Sequence, residues 1–305
     1  MGSVTSDNPP GAAEMASLRP CLPSPLTEVT DERFTRHGLR LLLKRDDLIH
    51  PALPGNKWRK LEPNLRAAAE SGARTLLTFG GAYSNHLRAT AAAGRLLGFE
   101  TIGVVRGDEL ADRPLNESLA RCAADGMRLR FVDRATYRRK TEPDVLAALV
   151  PPGAFVIPEG GSNAAAARGC AELGRELRGV ADVVGVACGT GGTLAGLAAG
   201  LAGDARAIGF PVLKGGFLGA ETLRLQEAAF GGRTGEWTLD DRFHFGGYGK
   251  RSAGLDTFAA DFAARHGLEP EPLYVAKMLY GLTALAQEGA FASGTRVVAV
   301  ITGAP

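Results

Sequence analysis

A regular alternation of short apolar runs with longer alanine- and leucine-rich segments constrains the fold of this chain more than any other feature. Residues 39–44, 75–79, 101–105, 128–132, 154–157, 182–188, 207–213 and 296–302 read as strands. Helical patterns open at Asn56, after His86 and after Thr193, cover residues 114–126 and 144–150, and run from Asn163 to Leu177. Others fall at residues 217–230, 255–266 and 274–288. Pro63 sits inside the first pattern and is expected to disturb an early turn, because it has no N–H and its ring crowds the carbonyl one turn back. Apolar strands alternating with helices predict an α/β architecture, with parallel sheets covered by helices.

A chain of 305 residues has enough apolar material for one large domain or two smaller ones. Charge is nearly balanced, 35 Lys+Arg against 33 Asp+Glu, which makes no electrostatic case for a nucleic-acid partner. Cys21, Cys122, Cys170 and Cys188 form no CxxC pair, so neither a zinc site nor a disulfide framework is indicated. They read as reduced thiols of a cytoplasmic protein. Residues 1–20 mix Ser, Asp, Asn, Pro and Gly without an apolar core, and read as a disordered lead-in lacking the h-region of a signal peptide. No later run is long and apolar enough to predict a membrane span.

Ligands in open α/β sheets gather where strands end and helices begin. Gly-rich turns mark such places around Gly81, Gly161 and Gly191. In Gly189-Thr190-Gly191-Gly192-Thr193, amides exposed at a helix start stand beside hydroxyls, a pattern suited to a phosphate or to a tight turn with no ligand. It is not GxGxxG, which would need glycine where Leu194 stands, and no GxxxxGK[ST] can be written across it.

Lys57 follows Gly55-Asn56 at a helix start, where the partial positive charge of the helix end disfavours an ammonium. An amine of ordinary pKa, about 10.4, must be depressed or held as an imine to attack a carbonyl near neutrality. Lys60 lies near the same helix face. The pair reads as one covalent attachment plus one contact to an anion, or as two solvated lysines. Ser84-Asn85-His86 reads as helix-capping residues or as a binding turn, and His86 as a base or as a locally satisfied histidine. There is no GxSxG elbow, which disfavours a serine hydrolase. Met278 and Tyr280 read as core packing, whereas Tyr248, between glycines on a loop, is harder to explain that way.

Gly55-Asn56-Lys57-x-x-Lys60-Leu61, Ser84-Asn85-His86, Pro158-Glu159-Gly160-Gly161-Ser162-Asn163, Gly189-Thr190-Gly191-Gly192-Thr193, Gly247-Tyr248-Gly249 and Lys277-x-x-Tyr280-Gly281 occur in this order. Together, over roughly residues 39–302, they resemble the D-cysteine desulfhydrase and 1-aminocyclopropane-1-carboxylate deaminase family of pyridoxal phosphate enzymes. The resemblance implies the tryptophan synthase β-subunit fold (fold type II): two three-layer α/β domains with parallel sheets, the smaller inserted in the larger and the cofactor between them. The small domain is expected at residues 55–159, the large cofactor-binding domain at 21–54 plus 160–305. The resemblance also implies a homodimer.

Carried over residue by residue, it makes Lys57 the cofactor-bound lysine that also moves the Cα proton. Asn85 would bond the cofactor's ring hydroxyl, and Thr302 would touch the pyridine nitrogen. Gly189, Thr190, Gly191, Gly192 and Thr193, helped by Lys60, would hold the phosphate. Ser84, with Asn85 and His86, would meet the substrate carboxylate, and Tyr248 and Tyr274 would line the substrate side as catalytic residues. No metal is implied.

Two departures bear on the reaction. Deaminases of this family carry a glutamate after the tyrosine, beside the pyridine nitrogen, where this chain has Val275; desulfhydrase-like members usually have His-Thr-Gly-Gly near the end, where it has Ile301-Thr302-Gly303-Ala304. A neutral hydroxyl leaves the ring nitrogen largely unprotonated, which favours substrates with a good β-leaving group. The expected activity is a lyase on a small amino acid, D-cysteine, giving pyruvate, ammonia and hydrogen sulfide by α,β-elimination. The alternatives are a 1-aminocyclopropane-1-carboxylate deaminase, an amino-acid racemase, and a non-catalytic pyridoxal phosphate carrier.

Overall fold

The computed structural model describes Met15, residues 18–53 and residues 55–303. The lead-in expected over residues 1–20 therefore falls almost wholly outside the described residues, as does Pro54. The chain divides into two compact units. One is Ala52–Ser162 with the described residues up to Arg19, and the other is Pro20–Pro51 with Asn163–Pro305.

The first part of the second unit contains β1 (Leu26–Val29), α1 (Glu32–Thr35) and β2 (Arg40–Lys44). The first unit then contributes α2 (Lys57–Glu70), β3 (Thr75–Gly80), α3 (Asn85–Leu97), β4 (Glu100–Arg106), α4 (Glu117–Ala124), β5 (Met127–Val132), α5 (Arg134–Arg138), α6 (Pro143–Leu149) and β6 (Phe155–Ile157). The chain returns to the second unit with α7 (Ala164–Leu177), β7 (Val183–Cys188), α8 (Gly192–Leu201), β8 (Arg206–Pro211), α9 (Leu218–Phe230) and β9 (Glu236–Leu239). It ends with α10 (Ala253–His266), α11 (Val275–Gln287) and β10 (Arg296–Val300).

The expected parallel sheets are present. The first unit holds a four-stranded sheet in the order β5-β4-β3-β6, parallel throughout. The second holds a six-stranded sheet in the order β1-β2-β10-β7-β8-β9, parallel except where β1 pairs antiparallel with β2. Side chains of a strand alternate between faces, and both faces are apolar. Leu41, Leu43, Val297 and Ala299 join a core with Phe210, Met278 and Leu282. Leu42, Val298 and Val300 join another with Leu194, Leu197 and Leu201. In the first unit Leu77, Phe79, Ile102 and Val104 face α6, whereas Val105 and Met127 face Leu87 and Ala91 of α3.

Several boundaries differ from the sequence reading for local reasons. The edge strands β1 and β9 were not expected: each has four residues and is mostly solvent-facing, so neither shows an apolar run. The helix read at 114–126 shortens to Glu117–Ala124 because Asn116 caps it, its Oδ1 accepting the Leu119 N–H at 2.9 Å. Pro63 does not break α2, which runs continuously through it. Leu61, Leu65 and Ala68 are fully buried on either side, and this packing outweighs the lost backbone bond. No helix among the described residues is long and apolar enough to cross a membrane.

Helices α7 and α8 meet backbone to backbone. A Cβ on Gly200 would fall on the carbonyl of Ala171, one on Gly196 on the carbonyl of Ala167, and one on Gly174 on the carbonyl of Leu197. Glycine here sets how closely α8 lies on its neighbour, and therefore where its N-terminus sits. Exchange of a helical glycine for alanine ordinarily stabilises by about 1 kcal/mol. For Gly200→Ala the sign is expected to reverse, with a net loss of about 1–3 kcal/mol from overpacking. Urea unfolding checks this: a midpoint equal to or above that of the wild type would refute the close contact.

Candidate active site

In the first unit the candidate residues gather at the carboxyl end of β3 and the start of two helices. Ser84 is the extended N-cap of α3 (φ −73°, ψ 111°), its Oγ accepting the Leu87 N–H at 3.2 Å. Its side chain folds onto Gly80, where any Cβ would collide with it. Asn85 opens the helix, and its side-chain amide makes no hydrogen bond among the described residues. The hydroxyl and the amide thus sit beside the exposed N–H groups of a helix start, which favours an anionic group.

His86, next in sequence, is only 2% exposed. Its Nε2 lies 2.8 Å from Thr78 Oγ1, and that hydroxyl donates its single hydrogen to the Ile157 carbonyl at 2.8 Å. Thr78 can therefore only accept from the ring, which fixes the proton on Nε2 and leaves Nδ1 as a lone pair. Nδ1 has no hydrogen-bond partner among the described residues. Gly161 (φ 65°) packs against this side of the ring and against the stem of Lys60. Burial first, then the charges of Lys57 and Lys60, push the His86 pKa well below its usual 6.5. The imidazole is neutral.

Lys57 is the first residue of α2, half-buried, with Nζ donating to Asn56 Oδ1 at 3.1 Å. The expected helix start is present, and Asn56 makes no capping bond with its side chain. Lys60 is 4% exposed, and its Nζ donates to Gly160 O at 3.1 Å and Ser162 Oγ at 2.9 Å. Neither lysine is the solvated surface group of the alternative reading. In this unit Lys57, Lys60 and His86 converge with the Gly160-Gly161-Ser162 turn.

In the second unit β7 ends at Cys188, and Gly189-Thr190-Gly191 leads into α8. Gly191 is the N-cap in the left-handed region (φ 77°), a conformation that strains any residue with a Cβ. A Cβ there would also press on Thr222 Oγ1 at 2.8 Å, a buried hydroxyl without a hydrogen-bond partner among the described residues. Gly192 and Thr193 form the first turn of α8. The ring of Tyr274 lies over Gly189, 3.3 Å from where its Cβ would be, and Tyr248 meets Tyr274 edge to face at 6.0 Å. Val275 is completely buried in the apolar core. Thr302 follows β10, and its hydroxyl makes no hydrogen bond among the described residues.

Sequence reasoning missed Thr78, Thr222 and Glu271. The Glu271 carboxylate accepts the N–H groups of Leu273 (3.0 Å) and Tyr274 (2.7 Å), so it fixes the start of α11 and with it Tyr274. An acid shortly before a helical run was the only local signal for it. Thr78 and Thr222 carried none, because Thr78 bonds the remote Ile157 and Thr222 comes beside Gly191 only through the fold. A helix start with a left-handed glycine, two threonine hydroxyls and a buried hydroxyl behind it fits a phosphate; a half-buried amine fits an aldehyde-bearing cofactor.

The chain is similar to known proteins over most of its length. The family described as pyridoxal-phosphate dependent enzyme matches residues 20–303. A Pyrococcus horikoshii protein provisionally named 1-aminocyclopropane-1-carboxylate deaminase is 31% identical over 285 residues, covering 87% of this chain and 85% of the relative. D-cysteine desulfhydrase of Salmonella choleraesuis is 33% identical over 272 residues, 80% of each chain. A crystal structure of an ACC deaminase homologue superimposes with a TM-score of 0.79 at 28% identity, covering 97% of this chain and 92% of that one.

The neutral His86 has a consequence for stability. Above the unfolded-state histidine value of about 6.5 it leaves stability unchanged with pH. As the pH falls below that value only the unfolded chain takes up the proton, so stability drops by up to about 1.4 kcal/mol per pH unit until the depressed folded value is passed. Urea unfolding at about pH 7 and about pH 5 should therefore show a larger loss for the wild type than for His86→Gln. Equal losses would mean that the folded chain protonates His86.

Proposed function

Because the chain belongs to the family of pyridoxal-phosphate dependent enzymes, we propose that it is a lyase that breaks D-cysteine down to pyruvate, ammonia and hydrogen sulfide. Bound pyridoxal phosphate supplies an electron sink for the bonding pair released at the substrate Cα. In this reading Lys57 would hold the cofactor through its amine and, as a free amine, would take the Cα proton. The sulfur leaves Cβ with its bonding pair as hydrosulfide, and water completes the conversion to pyruvate and ammonia.

The remaining residues bind and orient. Amides and hydroxyls of Gly189, Thr190, Gly191, Gly192 and Thr193 hold the phosphate, assisted by Lys60. Asn85, whose amide is uncommitted, bonds the ring hydroxyl. Ser84 and the start of α3, together with Asn85 and the backbone N–H of His86, receive the substrate carboxylate; the neutral His86 ring presents only a lone pair and does not bond it. Tyr248 and Tyr274 line the substrate side, where a phenol can hydrogen-bond the departing sulfur.

The observation that carries the choice of substrate is Val275, locked in the apolar core, with the uncommitted hydroxyl of Thr302 as the group for the ring nitrogen. A carboxylate at hydrogen-bond range would hold that nitrogen protonated; neither residue can. Opening a cyclopropane has no free β-leaving group and asks more of the ring than expelling hydrosulfide. The deaminase names borne by some relatives support 1-aminocyclopropane-1-carboxylate as the second substrate to test.

Lys57→Ala is expected to abolish turnover and the absorbance near the visible edge that reports attachment to the amine. Lys60→Ala should retain that absorbance at saturating cofactor but bind it about tenfold or more weakly, the cost of one charge-assisted contact. Turnover by the first variant, or loss of absorbance in both at saturation, would reassign the lysines. With purified protein and the two substrates at equal concentration, kcat/KM for D-cysteine should exceed that for 1-aminocyclopropane-1-carboxylate. The reverse order would overturn the argument from Val275.

A further inference from the structure

Lys277 is the third residue of α11, where the helix end disfavours positive charge, and it is 0% exposed. No carboxylate lies within ion-pair range of it among the described residues. Its Nζ instead donates to the carbonyls of His244 and Gly247, both at 3.0 Å. Burial lowers the pKa of this amine, and Glu271 opposes the shift only at longer range. A buried lysine satisfied by backbone alone is costly to keep, so its two acceptors are the place to look for its purpose.

Those carbonyls close two consecutive turns. His244 O also accepts the Gly247 N–H at 3.0 Å, and Gly247 O accepts the Lys250 N–H at 3.1 Å. The segment runs through left-handed backbone at Phe245 (φ 52°), Gly246 (91°), Gly247 (114°) and Gly249 (73°). Glycines at this density leave few side chains to anchor the loop, and their freedom makes the ordered form entropically expensive. One helical turn beyond Lys277, Tyr280 meets Phe245 edge to face at 5.1 Å. One face of α11 therefore grips the loop on both sides of Gly246, and Tyr248 is the next residue after the gripped Gly247.

We propose that Lys277 is a positioning residue: by joining the closing carbonyls of both turns it sets the place of Tyr248 against Tyr274. This rests on the reading of Tyr248 as a substrate-side residue and adds to it the group that holds it there. Displacement of a reacting side chain by about 1 Å costs as much as a hundredfold in rate. A residue outside contact with substrate can thus act through Tyr248 alone. Methionine fills the space of Lys277 but leaves both carbonyls without its hydrogen bonds; glutamine keeps a donor on a shorter stem.

The test uses full-length Lys277→Met and Lys277→Gln, each alone and combined with Tyr248→Phe. Nitration by tetranitromethane, read peptide by peptide by mass spectrometry, reports the surroundings of Tyr248, with the exposed Tyr83 (60%) as internal standard. The expected result is a severalfold rise in nitration of Tyr248 but not of Tyr83 in Lys277→Met, and a smaller rise in Lys277→Gln. In cofactor-loaded protein, kcat/KM for D-cysteine should fall by about tenfold to a hundredfold in Lys277→Met. Against a Tyr248→Phe background the same change should cost less than about twofold, since coupled residues are not additive. Unchanged nitration of Tyr248 in whichever variant folds, or fully multiplicative losses, would overturn the proposal. Raised nitration in a protein whose wild type does not turn over D-cysteine would leave the role of Lys277 standing and remove the substrate assignment.

Discussion

Parallel pairing of strands is the constraint on which the rest of this structure depends. A parallel neighbour cannot be reached by a hairpin, so each strand must be followed by a crossover, here mostly a helix. Every such crossover leaves helix N-termini near the carboxyl ends of the strands, with their amides unpaired by the helix itself. Both units use this. β3 passes through Gly80 and Ser84 into α3, and β7 passes through Gly189 and Gly191 into α8. The anion-seeking ends are a by-product of the sheet topology, and the glycines and hydroxyls at those turns adapt them to a ligand.

Cations at helix starts are the second recurring device. Lys57 and Lys277 both occupy the first turn of a helix, where charge is least favoured. Both donate to neutral oxygens: Lys57 to Asn56 Oδ1, Lys277 to two loop carbonyls. The same economy applies to His86, whose tautomer is set by a threonine that has already spent its hydrogen on Ile157. Charge in these places is handled by fixed dipoles, an arrangement that needs no reorganisation when a ligand binds.

Much of this was legible before any coordinates. The alternation of apolar runs and helices specified parallel sheets because strands buried on both faces cannot alternate with polar residues, as Leu41, Leu42 and Leu43 show. The Gly-rich turns were legible because a left-handed N-cap such as Gly191 tolerates little else. What escaped were elements whose sequence lacks an apolar signature, the edge strands β1 and β9, and the persistence of α2 through Pro63, which depends on the burial around it.

The sequence by itself determined the class of fold, the order of the glycine turns and the lysine set at a helix start, since these follow from local periodicity and backbone conformation. Only the tertiary structure decided that His86 is a neutral acceptor, that Glu271 fixes the start of α11, and that Lys277 holds the loop before Tyr248. The first and the last depend on partners distant along the chain, Thr78 with Ile157 and the carbonyls of His244 and Gly247, whereas the Glu271 cap is local and shows only once its carboxylate is placed. Hydrogen bonds between groups far apart in sequence leave no periodic trace, because any residue of suitable polarity could be written there until packing chooses its partner.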